Sequence, residues 1–212
     1  MRKLVLKMSV SADGFVAGPN GEIDWLFRTS DASSVKWVEN TLWEAGVHIM
    51  GSRTFHDMVS YWPASSDSLA APMNELPKVV FSKKGFVDTT SDFTTQALKD
   101  ANRIDSEKGI APATISKAAE TWKNAKVERD LVSGVNALKR QDGKFILAHG
   151  GASFAQDLVK HGLIDEYRLV VHPVILGKGL PLFSSATYPI YLDLLSSNKF
   201  TTGVIANVYR PV

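Results

Sequence analysis

Residues Phe145 to Phe183, FILAHGGASFAQDLVKHGLIDEYRLVVHPVILGKGLPLF, constrain the fold more than any other stretch of the chain. Phe145-Ile146-Leu147-Ala148 is a short apolar run of the kind that forms a buried strand. It ends at Gly150-Gly151, and Ala152 to Lys160 then carries Phe154, Ala155, Leu158 and Val159 at helical spacing. His161-Gly162 supplies a glycine stop for that helix. A second apolar run, Leu169 to Leu176, closes at Gly177-Lys178-Gly179. The stretch therefore predicts strand, Gly-Gly turn, helix, strand: a βαβ unit. A strand that hands over to a helix N-terminus through two glycines leaves free N–H groups and the positive end of the helix dipole facing outward. Such a turn can cradle a phosphate, since residues without Cβ allow close approach. It also serves as a tight turn with no ligand, and the glycines alone do not choose between the two.

At 212 residues, 44% apolar and 22% charged, the chain predicts one globular domain spanning 1–212. A net charge of +2 with no basic stripe argues against a nucleic-acid partner. The absence of cysteine removes disulfides, thiolate metal sites and a cysteine nucleophile. No metal set is expected. No stretch approaches the roughly 18 apolar residues of a membrane span, and the opening MRKLVLKMSVSADG reads as a first strand rather than a signal peptide. A cytoplasmic protein without membrane partners is the expectation.

Lys3 to Ser11 alternates as a strand, with Leu4, Leu6, Met8 and Val10 on one face, and Asp13-Gly14 breaks it. Asp31 or Ser33 can cap a helix running to Glu44. Val47 to Met50 predicts a strand, and Gly51-Ser52-Arg53-Thr54 leads into a helix over Phe55 to Tyr61. Ala64 to Leu76 reads as a loop, and Lys78 to Ser82 as a strand that turns at Lys83-Lys84-Gly85. About 87–120 reads as an inserted surface excursion with at most a weak helix or hairpin, followed by an amphipathic helix over Glu128 to Gln141. Ile190 to Leu195 and Gly203 to Tyr209, joined at Ser196-Ser197-Asn198, predict a C-terminal antiparallel hairpin.

Three junctions, at Gly51-Ser52-Arg53-Thr54, Ser82-Lys83-Lys84 and Gly150-Gly151-Ala152-Ser153, can gather at the C-terminal ends of neighbouring strands. In this order the chain resembles the dihydrofolate reductase-like fold. It is most similar to the C-terminal reductase domain of the bifunctional riboflavin-biosynthesis deaminase/reductase. The matching segments are Ser9 to Gly14, Ile49 to Thr54, Leu76 to Ser82, His149 to Ser153, Gly162 to Glu166, His172 to Gly179 and Leu182-Phe183. No deaminase portion with its Cys-x-x-Cys signature occurs in the sequence.

The resemblance implies an α/β fold, a mostly parallel central sheet flanked by helices with a C-terminal antiparallel hairpin. It implies an NADPH-dependent oxidoreductase acting on a small pteridine- or pyrimidine-like heterocycle, and a homodimer. The pyrophosphate would lie between Gly51-Ser52-Arg53-Thr54 and Gly150-Gly151-Ala152-Ser153, whose paired glycines the fold typically joins by a cis peptide. The adenosine end would lie against Ser82-Lys83-Lys84. Dihydrofolate reductases carry a carboxylate early in the helix that here starts near Asp31, where this chain has Ser33. That departure keeps a second reading in view: a non-catalytic nucleotide- or ligand-binding module on the same fold.

A nicotinamide reductase needs a proton source beside the accepting atom. Asp13 and Asp24 are the candidate catalytic residues. Asp13 also suits a plain Asp-Gly turn, and Trp25 beside Asp24 suits either stacking or the core. Glu166 is expected at a surface turn, His149 and His172 as satisfied histidines of the sheet, and Lys178 in a solvated loop.

Overall fold

The computed structural model describes residues 1–85, 94–111 and 120–212. Its frame is an eight-stranded sheet in which β1 (Leu4–Ser11) lies centrally, between β6 (Phe145–Ala148) and β7 (Glu166–His172), parallel to both. Beyond β6 follow β3 (Ala45–Gly51), β4 (Lys78–Phe81) and β5 (Lys126–Glu128), all parallel. Beyond β7 come β10 (Ile205–Pro211) and the edge strand β9 (Leu192–Lys199), both antiparallel to their neighbours. A separate pair, β2 (Phe15–Ala17) and β8 (Leu180–Pro181), sits beyond the end of β1. This is the mostly parallel, dihydrofolate reductase-like arrangement with the expected antiparallel pair at its C-terminus.

The alternation of β1 explains the layering. Leu4, Leu6, Met8 and Val10 join a core with α7 (Leu131–Lys139) and α8 (Ala152–Lys160), through Val135, Phe154, Leu158 and Val159. Val5 points the other way, into a second core with α2 (Ala32–Glu44), α3 (Ser52–Tyr61), α4 (Ala70–Glu75) and α6 (Glu120–Lys123). Both faces of a parallel sheet are thus covered, which is why its strands read as nearly continuous apolar runs.

The structure corrects the sequence reading in several places. The second strand of the βαβ unit runs from Glu166 to His172, not from Leu169 to Leu176, because Pro173 has no N–H to continue the ladder. Glu166 is therefore buried in a strand, paired with Arg168 Nε at 2.8 Å, rather than at a surface turn. In the hairpin, Ser196, Ser197 and Asn198 lie within β9 opposite Val208, Asn207 and Ala206. The chain turns instead at Phe200 to Val204, where Gly203 takes φ +85° and Phe200 N–H donates to Val204 O. Helix α7 starts at Leu131 under an Asp130 cap, since Glu128 is spent in β5. Ala64 to Leu76 contains α4 rather than only loop, and α1 (Asp24–Thr29) was not anticipated. Residues 86–93 and 112–119 of the expected excursion lie outside the described residues. Its described part holds α5 (Gln96–Glu107), which is no surface excursion: Leu98, Ala101 and Ile104 are buried.

Candidate active site

The strands β3 and β6 are adjacent and parallel, so the helices that follow them, α3 and α8, both begin at the same edge of the sheet. They cover opposite faces, and their N-termini flank the edge from two sides. Gly51 and Gly151 are the N-cap residues, and neither helix has a side-chain cap. The turns touch. A Cβ on Gly51 would lie 3.3 Å from Cβ of Phe154, and one on Gly150 would lie 2.9 Å from Cε of Met8. Thr54 Oγ1 accepts the Gly151 N–H at 2.7 Å, and a Cβ on Gly151 would sit 3.1 Å from that oxygen. The Gly150–Gly151 peptide is cis. A Cβ at Gly51 or Gly151 would crowd the opposite turn, which would have to give by a few tenths of an ångström.

Ser52, Arg53 and Thr54 open α3, and Ala152 and Ser153 open α8. Arg53 and Ser153 are exposed at this rim. The third junction is a turn closed by Gly85 N–H donating to Ser82 O at 2.8 Å, with Lys83 and Lys84 exposed. The guanidinium of Arg129 fills the space a Cβ at Gly85 would take, adding a cation that the sequence reading missed. The residues expected to hold a dinucleotide thus stand at the C-terminal ends of β3, β4 and β6, the place where open α/β sheets bind such ligands.

Beside this crevice lies a cluster of bases on the α2–α3 face. Val5 pairs with Leu147, so two residues on, Lys7 stands beside His149 on the same face. Ser11 pairs with His172, whose side chain shares that face. Lys7 is partly buried, its Nζ 3.4 Å from Ser9 Oγ, and it has no carboxylate partner among the described residues. Burial pulls its pKa from 10.5 down to about 8. His149 is held well below its ordinary pKa by burial and by the charges of His48, Lys7 and Lys78. His172 falls to about 4 through burial and the charge of Lys7. Both histidines are neutral at pH 7.

Thr29 Oγ1 stands 2.8 Å from both Trp25 O and His172 Nδ1. His172 Nε2, like Nε2 of His149, is buried with no hydrogen-bond partner among the described residues. The histidines are not the satisfied sheet residues expected. An unmet buried ring nitrogen is costly, and sites of this kind are met by a ligand group or water. Trp25 packs edge-on against His172 at 5.2 Å and is buried, so it belongs to the wall of this cluster.

The two carboxylates proposed from sequence are engaged elsewhere. Asp13 accepts from Ser11 Oγ at 2.6 Å, Leu176 N at 3.2 Å and Gly177 N at 2.8 Å. These bonds, led by Ser11, lower its pKa, so it remains ionised and pins the Leu176-Gly177 turn beyond the end of β1. Asp24 lies in the first turn of α1 and pairs with Arg28 at 3.0 Å and Arg103 at 3.7 Å. Ser33 is exposed and donates to Asp31, the α2 cap. Lys178 is exposed. Two open clefts, of about 420 and 350 Å³, lie toward the N-terminal halves of the strands, away from the crevice.

The sequence reading gave Lys7 no role. A lysine in the middle of a central strand covered on both faces has no route to solvent comparable to a surface lysine, and that is a signal for a functional cation.

Comparison with known proteins agrees with this fold. The family model described as the RibD C-terminal domain matches residues 2–206. The uncharacterized protein YyaP of Bacillus subtilis is 30% identical over 209 residues, covering 99% of this chain and 95% of that protein. A solved structure described as a putative riboflavin biosynthesis protein from Shewanella sp. PV-4 superposes with a TM-score of 0.67 at 19% identity, covering 99% of both chains. The Thermotoga maritima diaminohydroxyphosphoribosylaminopyrimidine deaminase/5-amino-6-(5-phosphoribosylamino)uracil reductase superposes with a TM-score of 0.62 at 19% identity, over all of this chain and 57% of that one. Among the described residues no helix is long and apolar enough to cross a membrane.

Proposed function

This chain belongs to the RibD C-terminal domain family, a family of reductases, and from that premise we propose that it is an NADPH-dependent reductase of a small pteridine- or pyrimidine-like heterocycle. Relatives in this family use a nicotinamide cofactor. The observation that carries the reading is the pair of uncapped helix N-termini at Gly51 and Gly151 flanking one sheet edge, where a Cβ would meet the opposite wall. Free backbone N–H groups and two converging dipoles suit a pyrophosphate. The backbone of Ser52 to Thr54 and of Ala152 and Ser153 would hold it, with Arg53 at the rim. Lys83, Lys84 and Arg129 would meet the adenosine end.

When bound, the cofactor supplies a hydride, and the protein must supply a proton and orientation. Lys7 meets the first need. Its depressed pKa keeps it protonated near neutrality yet able to release the proton, and no carboxylate among the described residues competes for it. His149 Nε2 and His172 Nε2 would each exchange a hydrogen bond with the ring or exocyclic polar groups that pteridines and pyrimidines present. Asp13 keeps the Leu176-Gly177 turn in place at the mouth, and Asp24 anchors α1, which carries Trp25, against α5 through Arg103.

The test is oxidation of NADPH by the purified chain against a panel of pterins, ribosylaminopyrimidines and quinoid dihydropterins. Turnover of one class that Lys7→Met abolishes while cofactor affinity survives supports the reading. The placement of Ser33 in α2, with Asp31 spent on capping, favours the second reading, a binding module without turnover. NADPH binding with no oxidation against any of the panel would select it.

A further inference from the structure

Among the described residues, three lysines are withdrawn from solvent, Lys7, Lys78 and Lys139, and they differ in what their amines touch. The Lys78 ammonium is taken up by three acceptors, Asn74 O at 3.2 Å, Leu76 O at 2.6 Å and Thr121 Oγ1 at 2.5 Å. Lys139 is paired with Asp165 at 2.6 Å. Lys7 is the exception. Among the described residues its one polar contact is Ser9 Oγ at 3.4 Å, long for a hydrogen bond.

Its ionisable neighbours do not make up the difference. Arg168, its register partner on β7, turns to Glu166 at 2.8 Å and to Glu44 at 2.7 Å. Glu166, beside Val5 on the same face, is held by that arginine and by Lys3. Toward β6 stands His149, and farther along β7 stands His172, each with a buried Nε2 that has no partner among the described residues.

We infer that Lys7 is a covalent site, its amine forming an imine with a small carbonyl compound that carries an anionic group. A desolvated lysine without a carboxylate suits this chemistry because the neutral amine is the nucleophile. At its pKa of about 8, about a tenth of Lys7 is neutral at pH 7, against about one part in 3,000 for a lysine at 10.5. Lys7 is only partly buried, which leaves its amine a route to a small reagent. In the reaction the amine nitrogen bonds to the carbonyl carbon. The carbonyl oxygen leaves as water with the two amine hydrogens, so C=N replaces C=O and nothing is oxidised or reduced. The unpartnered imidazole nitrogens offer hydrogen bonds to the carbinolamine hydroxyl that departs.

The anionic group follows from charge. Once protonated, the imine is again a cation in a desolvated place, and the carboxylate on its face, Glu166, is already engaged. A carboxylate or phosphate on the ligand supplies the missing counter-charge. The inference stands apart from the reductase reading, since imine formation needs neither NADPH nor its hydride.

The experiment is trapping of the full chain with sodium cyanoborohydride at pH 7, without NADPH. The carbonyl probes are glyoxylate and the uncharged glycolaldehyde, and modified lysines are mapped by peptide mass spectrometry. Each rate is divided by that of free Nα-acetyl-lysine with the same probe. Lys7 should be labelled roughly tenfold or more faster than the exposed Lys83, Lys84 and Lys178, as its larger neutral fraction outweighs its lower basicity. Its normalised rate should favour glyoxylate by about tenfold, the scale of one charge-assisted contact. Labelling at Lys7 should level off above pH 8 while the exposed lysines continue to gain, and denaturing urea should erase both preferences. A Lys7 that stays unlabelled, or that labels no faster than the exposed lysines, overturns the covalent site. Equal normalised rates for the two probes overturn the anionic class of ligand.

Discussion

Thr54 Oγ1 accepts the backbone N–H of Gly151 at 2.7 Å, tying the first turn of α3 to the entrance of α8 across the crevice. The bond fixes the spacing of the two N-termini. Thr54→Val keeps the shape and removes the acceptor, leaving one N–H to water. A net loss of about 1 kcal/mol in stability is expected, on the scale of a single neutral hydrogen bond. NADPH affinity should fall by roughly tenfold as the cradle loosens. Thermal melts with and without cofactor measure both. Unchanged affinity would mean the bond serves the fold alone.

Cofactor choice should follow the cations around the third junction. NADPH carries a 2′-phosphate that NADH lacks, and Lys83, Lys84 and Arg129 stand at the turn closed by Ser82 and Gly85. One or two charge-assisted contacts give a preference of roughly ten- to a hundredfold. Lys83→Ala/Lys84→Ala and Arg129→Ala, like Arg53→Ala at the neighbouring turn, should weaken NADPH and spare NADH, with a gap that narrows in salt. Equal losses for both cofactors would take these residues out of the specificity role.

Lys7 makes stability and activity respond to pH in opposite directions. Its folded pKa of about 8 lies below the ordinary 10.5, so between those values the unfolded chain holds more protons than the native one. Stability therefore rises with pH across that window, and below pH 8 the full penalty is present. The shift corresponds to an upper bound of about 3 kcal/mol. Burial moves Lys78 to about 7, which adds a slope of the same sign. Turnover, needing protonated Lys7, should fall as pH rises through 8. Lys7→Met should melt higher at pH 7, lose the part of the slope that Lys7 supplies, and lose turnover. A mutant with wild-type activity would remove Lys7 from the chemistry.

Asp31 should be the acid-sensitive clamp of the C-terminal hairpin. Its carboxylate accepts from Ser34 N in α2, and from Thr201 Oγ1 and Thr202 N in the turn between β10 and β9. These bonds, led by Thr201, hold its pKa far below the ordinary carboxylate value. The stability they supply is present above the unfolded pKa near 4 and is lost as pH falls below it. Asp31→Asn should lower the melting temperature at pH 7 by a few degrees and flatten the acid limb. The same acid limb in wild type and variant would place that titration elsewhere.

Much of this fold was legible because its strands are short apolar runs punctuated by glycine. Ile49 to Thr54 and Leu147 to Ser153 repeat the same strand-turn-helix pattern, and the fold puts them side by side. The elements that were missed lack such punctuation. Helix α5 has a mean polarity that hides Leu98, Ala101 and Ile104 one turn apart, and the hairpin turn at Phe200 to Val204 was masked by the serines that sit in β9. Within the candidate site, the two glycine turns could be read from sequence, but the surroundings of the side chains could not. Asp13 reads in sequence as a catalytic candidate or a plain Asp-Gly turn, yet it is held by Ser11 and by backbone more than 160 positions away, while Lys7 reads as an ordinary alternating polar residue. Only the lateral register of β1 with β6 and β7 brings it to His149 and His172.

Binding of the nicotinamide cofactor in the crevice between Gly51 and Gly151 is tested by a melting curve in rising NADPH. At a concentration about 100 times the dissociation constant the wild type should gain about 2.7 kcal/mol, several degrees in melting temperature. Gly151→Val, whose Cβ would stand 3.1 Å from Thr54 Oγ1 and whose methyls would enter the cradle, should show no gain while retaining its circular dichroism. A wild type that does not shift in about 1 mM NADPH, or a folded Gly151→Val that shifts as the wild type does, would contradict the account.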